Sequence, residues 1–476
     1  MMSDIKIDKL RFKDRQGRER IFNGLNLVCK DTSLNNVYSL SFAQYQRLYQ
    51  SGINILRFGI VWAAAEPSPG VYDRQYLQKV KEQLELAYRA GLYFFLDFHQ
   101  DLYGVSFGGG APEWAEITDR MPHITGDLWS DAYLISPALN RAVEHFWNND
   151  TVCGMGLQDH FIRMVWYVAQ YFDQTPGLLG YDLWNEPYPG SVGQTALEAA
   201  MNRLPGASGD RLENDDEKKN LIAGLTDIDF YSQLTRILSQ YTMPFEKSFL
   251  MSFYEKVAKT IHEISPEAFL FTEPCYFTNL GAPSGIGRLS VPGQVFAPHG
   301  YDLIVDTGHD DLYNPDRVDL IFRRHKQTGD LLEVPTFIGE WGAFEGRPGN
   351  EKAAMQMIRI LEKNLWSHTY WSWAPGMESR QEWNYLVRAY PVATAGTLHS
   401  YRWERNAFTL SYDGVPGITE VFVPGLSQDN WKIRVLQGDV KWKEQVWNDT
   451  GHGILSLTSD SVQRIQLCLE FEGRVG

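Results

Sequence analysis

Between residues 21 and 373, short apolar runs alternate with stretches whose apolar residues recur at helical spacing, and no other feature constrains the fold as strongly. The runs fall at residues 21–28, 53–59, 92–98, 178–184, 268–272, 295–298, 336–339 and 369–373. Between them, Leu77, Val80, Leu84 and Ala87 mark a helix opened by Asp73 and closed by Gly91, and Leu250, Phe253, Val257, Ile261 and Ile264 mark another that stops before Pro266. Strands buried on both faces read as unbroken apolar runs, so eight of them separated by helices predict an α/β fold, a parallel (β/α)8 TIM barrel. A chain of 476 residues exceeds what one core normally organises. Near residue 385 the period changes to two: Phe408, Leu410 and Tyr412, then Trp431, Ile433 and Val435, then Ile465, Leu467, Leu469 and Phe471, divided by turn residues. The expected organisation is therefore a barrel over residues 1–384, with long loops after its third and fourth strands, followed by an all-β sandwich over residues 385–476.

Charge and composition exclude several partner classes. A net charge of -15 disfavours nucleic acid and anionic membranes as principal partners. No apolar run approaches a membrane span, and the charged N-terminus lacks the apolar segment of a secretion signal, so the expectation is a soluble cytoplasmic protein, or a secreted one if a signal has been removed. The four cysteines lack CxxC spacing, and the histidines form no HExxH set, so no metal site or cofactor is expected. Fifteen tryptophans provide flat surfaces of the kind that stack on sugars or lipids.

Polar residues gather at the C-terminal ends of the predicted strands, which is where a barrel presents its chemistry. Lys30 follows the first run, Arg57 lies in the second, and His99 and Asp101 follow the third. The fourth ends in Asn185 and Glu186, an amide beside a carboxylate; His299 and Tyr301 follow the sixth, and Glu340 ends the seventh. Two carboxylates on separate strand ends can face each other across a cleft. At about 5 Å they suit a retaining glycosidase, and at wider spacing an inverting one, an alternative that the sequence leaves open. Glu273 in FTEP has the same setting as Glu186 without the preceding Asn, and is read as part of the cleft wall or a structural contact.

The ordered set Arg57, His99, Asn185-Glu186, His299 with Tyr301, Glu340 and Trp371 resembles the strand ends of glycoside hydrolase family 5. DFHQDLYG at 97–104, HFWNND around Trp147 and RAYPVATAGT at 388–397 resemble the endoglycoceramidase-related branch of that family. The resemblance implies a retaining β-glycosidase acting on the sugar–lipid linkage of a glycolipid without a cofactor, in transient contact with a membrane or micelle surface. It implies Glu340 as nucleophile and Glu186 as acid/base, with Asn185 on the sugar 2-hydroxyl and Trp371 beneath the ring. Lys30, Asp101, Trp147, His99, His299, Arg57 and Tyr301 complete the implied substrate site. Glu340 should stay ionised beside Arg57 and Tyr301, and its charge should keep the proton on Glu186 until the sugar is attached. Release of a whole oligosaccharide competes with release of one glucose from glucosylceramide or a sterol glucoside. A glycolipid-binding protein without catalysis and a barrel isomerase or aldolase, with Lys30 the only candidate Schiff-base lysine, are the readings from other classes.

Overall fold

The computed structural model describes residues 4–203, 223–404, 406–428 and 431–471. Its barrel strands are β1 (Asn23–Leu27), β2 (Ile55–Val61), β3 (Tyr93–His99), β4 (Leu178–Asp182), β5 (Phe269–Thr272), β6 (Gln294–Phe296), β7 (Phe337–Ile338) and β8 (Ser367–Tyr370). They pair in parallel in the order β6-β5-β4-β3-β2-β1-β8-β7. Parallel bridges from Phe296 to Thr336 and from His299 to Glu340 close the ring between β6 and β7. Each of the eight apolar runs read from the sequence is thus a barrel strand. Helices cover the outside. In Arg74–Ala90, Asp73 accepts the first free N–H groups from Gln75 and Tyr76, Leu77, Val80, Leu84 and Ala87 are buried, and Gly91 ends the helix with φ +103°.

The loop after β3 runs from Gln100 to the helix Leu157–Phe172 and carries the short helices Asp131–Ile135 and Pro137–Trp147. The insertion after β4 holds the helices Ser191–Met201 and Ile228–Phe245. Leu225 and Phe230 pack against the barrel core, and the Tyr231 hydroxyl donates to the Leu280 carbonyl at 2.6 Å. Leu221, Ile222 and the acidic run 213–217 lie outside the described residues.

The C-terminal part is a sandwich of two antiparallel sheets. One pairs Gly396–Glu404, Ala407–Gly414, Gln463–Phe471 and Trp431–Gln437 in that order. The other contains Tyr390–Thr394, Gly417–Val423, Gly453–Ser459 and Lys441–Val446, but it begins with three strands from the N-terminus: Ile5–Asp8, Arg11–Asp14 and Glu19–Arg20. The division expected from sequence placed this segment in the barrel; strand pairing places it in the second sheet, with Ala393 opposite Arg20 and Thr394 opposite Glu19. Ile5 and Phe12 from this hairpin nevertheless reach the barrel, where they join Phe22, Ile55, Phe95, Leu179, Phe269 and Phe337. The Phe12 ring lies 5.6 Å from Phe22, 5.7 Å from Phe269 and 6.3 Å from Phe337. The hairpin thus closes the barrel at the end opposite the strand C-termini.

Elsewhere the two parts meet through buried polar contacts. Arg388 donates to Asn23 at 3.1 Å and approaches Glu362 at 3.5 Å, while the Tyr390 hydroxyl donates to the Gly52 carbonyl at 2.8 Å. Gly52 has φ +84°, and a Cβ there would meet the Phe422 ring at 2.5 Å, so a side chain would drive the two parts of the molecule apart.

Candidate active site

Arg57 is the hub of the strand ends. Its side chain is fully buried within β2, and a buried guanidinium persists only where opposite charges and hydrogen bonds surround it. Nε donates to Asp182 at 2.9 Å; Nη1 donates to Asn26 at 3.0 Å and Glu340 at 2.7 Å. Nη2 reaches Asn185 at 2.9 Å, Glu273 at 2.8 Å and Asp97 at 2.9 Å. Burial works against the charge on Arg57, but Asp97, Asp182, Glu273 and Glu340 outweigh it and hold the guanidinium firmly protonated. Asp97, Asp182 and Glu273 bring ligand-type oxygens within 4.8 Å of one another, and the guanidinium contacts all three.

The closing of the barrel sets the two catalytic candidates face to face. A second ligand-type set joins Glu186, His299 and Glu340, with one donor atom from each within 4.8 Å of the others. That places a Glu186 oxygen and a Glu340 oxygen at the short spacing of a retaining pair, which spans about 5–5.5 Å, and below the roughly 6.5–9.5 Å of inverting enzymes. His299 Nδ1 stands between them, 3.0 Å from Glu186 Oε1 and 3.4 Å from Glu340 Oε2. Burial opposes a charge on His299, but Glu273 and Glu340, with the hydrogen bonds to Glu186 and Glu273, push its pKa well above the ordinary value.

The donors around the carboxyls are distributed unequally. Glu340 receives Arg57 Nη1 on Oε1 and the Tyr301 hydroxyl on Oε2 at 2.8 Å, both of which favour the carboxylate. Burial pushes Glu340 up to about 7, with Glu186 adding to it, against the pull of His299 and Arg57. Glu186 accepts from Asn279 Nδ2 at 2.7 Å and faces His299 Nδ1, and both of these contacts fall on Oε1 rather than Oε2. Its backbone is unusual: φ is +43°, a left-handed value rare for a residue with a Cβ. The Glu186 N–H is held by Glu273 Oε2 at 2.8 Å. Asn185 is fixed by Arg57 on its oxygen and by the Gln100 carbonyl on its amide at 2.8 Å.

A second group forms the wall at β1, β3 and β8. His99 Nδ1 lies 2.7 Å from Asp97 and Nε2 3.1 Å from Asp101, and the ring stacks on Trp371 at 5.3 Å. Burial works against its charge, but Asp97 and Asp101 raise the His99 pKa to about 9. Lys30 Nζ is 2.5 Å from Asp101 and 4.6 Å from the centre of the Trp371 ring. Burial favours a neutral Asp101, yet Lys30 and His99 hold its carboxyl well below the usual range.

Ten of the eleven residues read from sequence thus meet in one network: Glu186, Glu340, Lys30, Arg57, His99, Asp101, Asn185, His299, Tyr301 and Trp371. Trp147 lies apart from it. It is 7% exposed, its N–H donates to the Tyr188 carbonyl at 2.8 Å, and its ring packs on Phe146, Phe245 and Phe253. Those are the surroundings of a core tryptophan, one that anchors the segment just after Glu186. Sequence reading missed Asn26, Asp97, Asp182 and Asn279; of its two readings of Glu273, cleft wall or structural contact, the contacts to Arg57 and the Glu186 N–H are those of the second. Asp97 and Asp182 carried a usable signal, since an acid inside a fully apolar strand requires a buried cation such as Arg57.

An eight-stranded parallel barrel with a close pair of carboxylates at the ends of β4 and β7 defines a glycoside hydrolase active site. Residues 36–376 match the model of cellulase (glycosyl hydrolase family 5), and residues 388–465 match the glycoside hydrolase family 5 C-terminal domain; the chain belongs to glycosyl hydrolase family 5. Endoglycoceramidase I of Rhodococcus hoagii (strain 103S) is 24% identical over 500 aligned residues, covering 100% of this chain and 90% of that protein. Endo-glycoceramidase II from Rhodococcus sp. superposes with a TM-score of 0.75 at 23% identity, covering 97% of this chain and 99% of the other. Sterylglucosidase 1 of Cryptococcus neoformans gives 0.74 at 16% identity, covering 99% and 98%.

Proposed function

We propose that the protein hydrolyses the β-glycosidic bond between a sugar and a lipid alcohol with retention of configuration. The observation that carries this is the short Glu186–Glu340 spacing, with His299 between the two and the anion-stabilising donors Arg57 and Tyr301 gathered on Glu340. Glu340 attacks the anomeric carbon as the bond to the lipid oxygen breaks, and Glu186 passes its proton to that oxygen. Forming the ester removes the Glu340 charge, so Glu186 becomes the base that takes a proton from water attacking the same carbon, as the bond from that carbon to Glu340 breaks and the free carboxylate returns. The lost proton is thereby restored. Asn185 holds the sugar hydroxyl next to the reacting carbon, Trp371 lies beneath the ring, and Lys30, Asp101 and His99 meet the remaining hydroxyls.

A lipid aglycone is supported by the endoglycoceramidase relative, which aligns over the whole of this chain. Trp129 stands exposed on the loop after β3 with its ring centre 5.9 Å from Lys30 Nζ, so the border of the cleft offers an apolar group to the membrane or micelle from which a substrate is drawn. No described helix is long and apolar enough to cross a membrane.

The test is incubation with glucosylceramide, galactosylceramide, lactosylceramide, a ganglioside and a sterol glucoside, with identification of the released sugar. Free glucose alone identifies a glucosidase; an intact oligosaccharide identifies endo-cleavage. Glu340→Gln is expected to abolish turnover, and Glu186→Ala to spare only substrates with good leaving groups. Undiminished turnover of the glycolipid by either variant would refute the assignment.

A further inference from the structure

Glu273 has no role in the mechanism above, yet it is the carboxylate most closely tied to both halves of the site. It directly follows β5, is 1% exposed, and divides its two oxygens between different tasks. Oε2 accepts the Glu186 N–H at 2.8 Å, while Oε1 meets Arg57 Nη2 at 2.8 Å and His299 Nε2 at 3.2 Å. Its own carbonyl is held by the Tyr254 hydroxyl at 3.0 Å, so the acceptor is itself anchored.

Each contact bears on proton delivery. A residue with a Cβ at φ +43° is strained and persists only where its surroundings over-determine it. At Glu186 the surroundings include the charged acceptor for its N–H. Without it the turn can relax toward right-handed backbone and swing the carboxyl away from the leaving oxygen. Glu273 Oε1 also stands 3.2 Å from Nε2 on the far side of His299, the group between the two catalytic carboxyls, a charge contact that turning the imidazole would give up. We propose that Glu273 is a positioning residue for the acid/base: it locks Glu186 in the left-handed turn through one oxygen and orients His299 and Arg57 through the other. Its pKa supports the arrangement: burial would raise it, but His299 and Arg57 hold it down, so the acceptor stays charged. The groups facing it are Arg57, His299, the Glu186 N–H, Asp97, Asp182 and Tyr254; His299 in turn faces Glu186, Glu340 and, through its carbonyl, His325.

The inference rests on the hydrolytic reading above, and the test separates the two. Full-length wild type, Glu273→Ala and Glu273→Gln are compared on glucosylceramide, which needs the acid, and on dinitrophenyl β-glucoside, whose leaving group needs none. Loss of acid assistance removes about 10²–10⁴-fold. In Glu273→Ala, kcat/KM for the lipid glucoside is therefore expected to fall by roughly 100-fold or more, and for the aryl glucoside by less than about 10-fold. Azide, a nucleophile that needs no base, should raise kcat on the aryl substrate. Glu273→Gln keeps one oxygen for the Glu186 N–H and should recover part of the loss, with a displaced pH profile. An equal loss on both substrates, no loss, or no effect of azide would overturn the positioning role. If the alanine variant does not fold, the isosteric Glu273→Gln carries the same comparison. Wild type inactive on every β-glucoside would instead refute the hydrolase reading itself.

Discussion

Replacing Arg57 with lysine preserves charge but not geometry, and the structure fixes the consequence. The guanidinium serves Asn26, Asp97, Asp182, Asn185, Glu273 and Glu340 at once. An ammonium has three donors and ends near the position of the arginine Cζ, one bond short of Nη1 and Nη2, so it cannot serve at once the acceptors on Nε, Nη1 and Nη2. At least three buried acceptors then lose their donor, at about 1–3 kcal/mol each, which sets a loss of roughly 3 kcal/mol as the lower bound. Unfolding entropy of about 2.1 cal/mol/K per residue, over this chain, converts that into a drop in Tm of at least about 3 °C. Activity should change in a defined direction. Arg57 pulls the pKa of Glu340 down from where burial would put it, so withdrawing the Nη1 bond and moving the charge back raises a value already near 7. Glu340 attacks as the carboxylate, and lowering the pH through its pKa switches the nucleophile off. A charge-assisted bond worth about 1.5–3 kcal/mol corresponds to about one to two pH units. The acid limb of kcat/KM on an aryl β-glucoside should therefore move up by that amount, and the rate well below the limb should fall by about 10–100-fold. A variant with its melting lowered but its acid limb unmoved would show that the ionisation of Glu340 does not depend on Arg57.

Three further outcomes follow from other contacts. Phe12→Ala removes the ring that closes the lower end of the barrel and should cost about 3–5 kcal/mol in calorimetry while leaving kcat/KM at 25 °C unchanged; a loss under about 1 kcal/mol would mean that the hairpin only lies against the barrel. Burial pushes Glu362 up to about 7, against Arg388 and the Trp403 N–H, so folding is favoured by its protonation and stability drains away as pH rises from about 4.5 through 7; Glu362→Gln should flatten that part of the Tm–pH curve, and an unchanged slope would reject the assignment. Lys30→Met removes a cation that pairs with Asp101 and should lower kcat/KM by about 10–100-fold on any glucoside, with the larger share in KM; a change confined to kcat would place Lys30 in the chemical step instead.

The parts of this molecule that sequence made visible are those in which local pattern and tertiary role coincide. All eight barrel strands are buried on both faces, so their apolar runs stand out against polar loops, and the polar residues that end them are legible because a buried strand has no other reason to stop on Glu186 or Glu340. The N-terminal hairpin shows the opposite case. IKID and RFKD mix charged and apolar residues because one face packs while the other meets solvent; they pair with each other, RFKD pairs with Glu19–Arg20, and only that last strand reaches Tyr390–Thr394, about 370 residues away, which places all three in the second sheet. Trp147 left its expected place, and Glu273 took the structural one of its two expected roles, for a related reason. Nothing in HFWNND or FTEP records that the tryptophan points into an aromatic core, or that closing the barrel brings β5 against the acid/base, because both facts depend on neighbours distant in the chain. Asn279 holds Glu186 from a short helix after β5 for which no periodicity exists to be read. The reacting groups are therefore the legible layer of this site. The layer that positions them is written in long-range contacts, and variants of Glu273, Asn279 and Arg57, more than those of Glu186 and Glu340, test whether the three-dimensional arrangement has been read correctly.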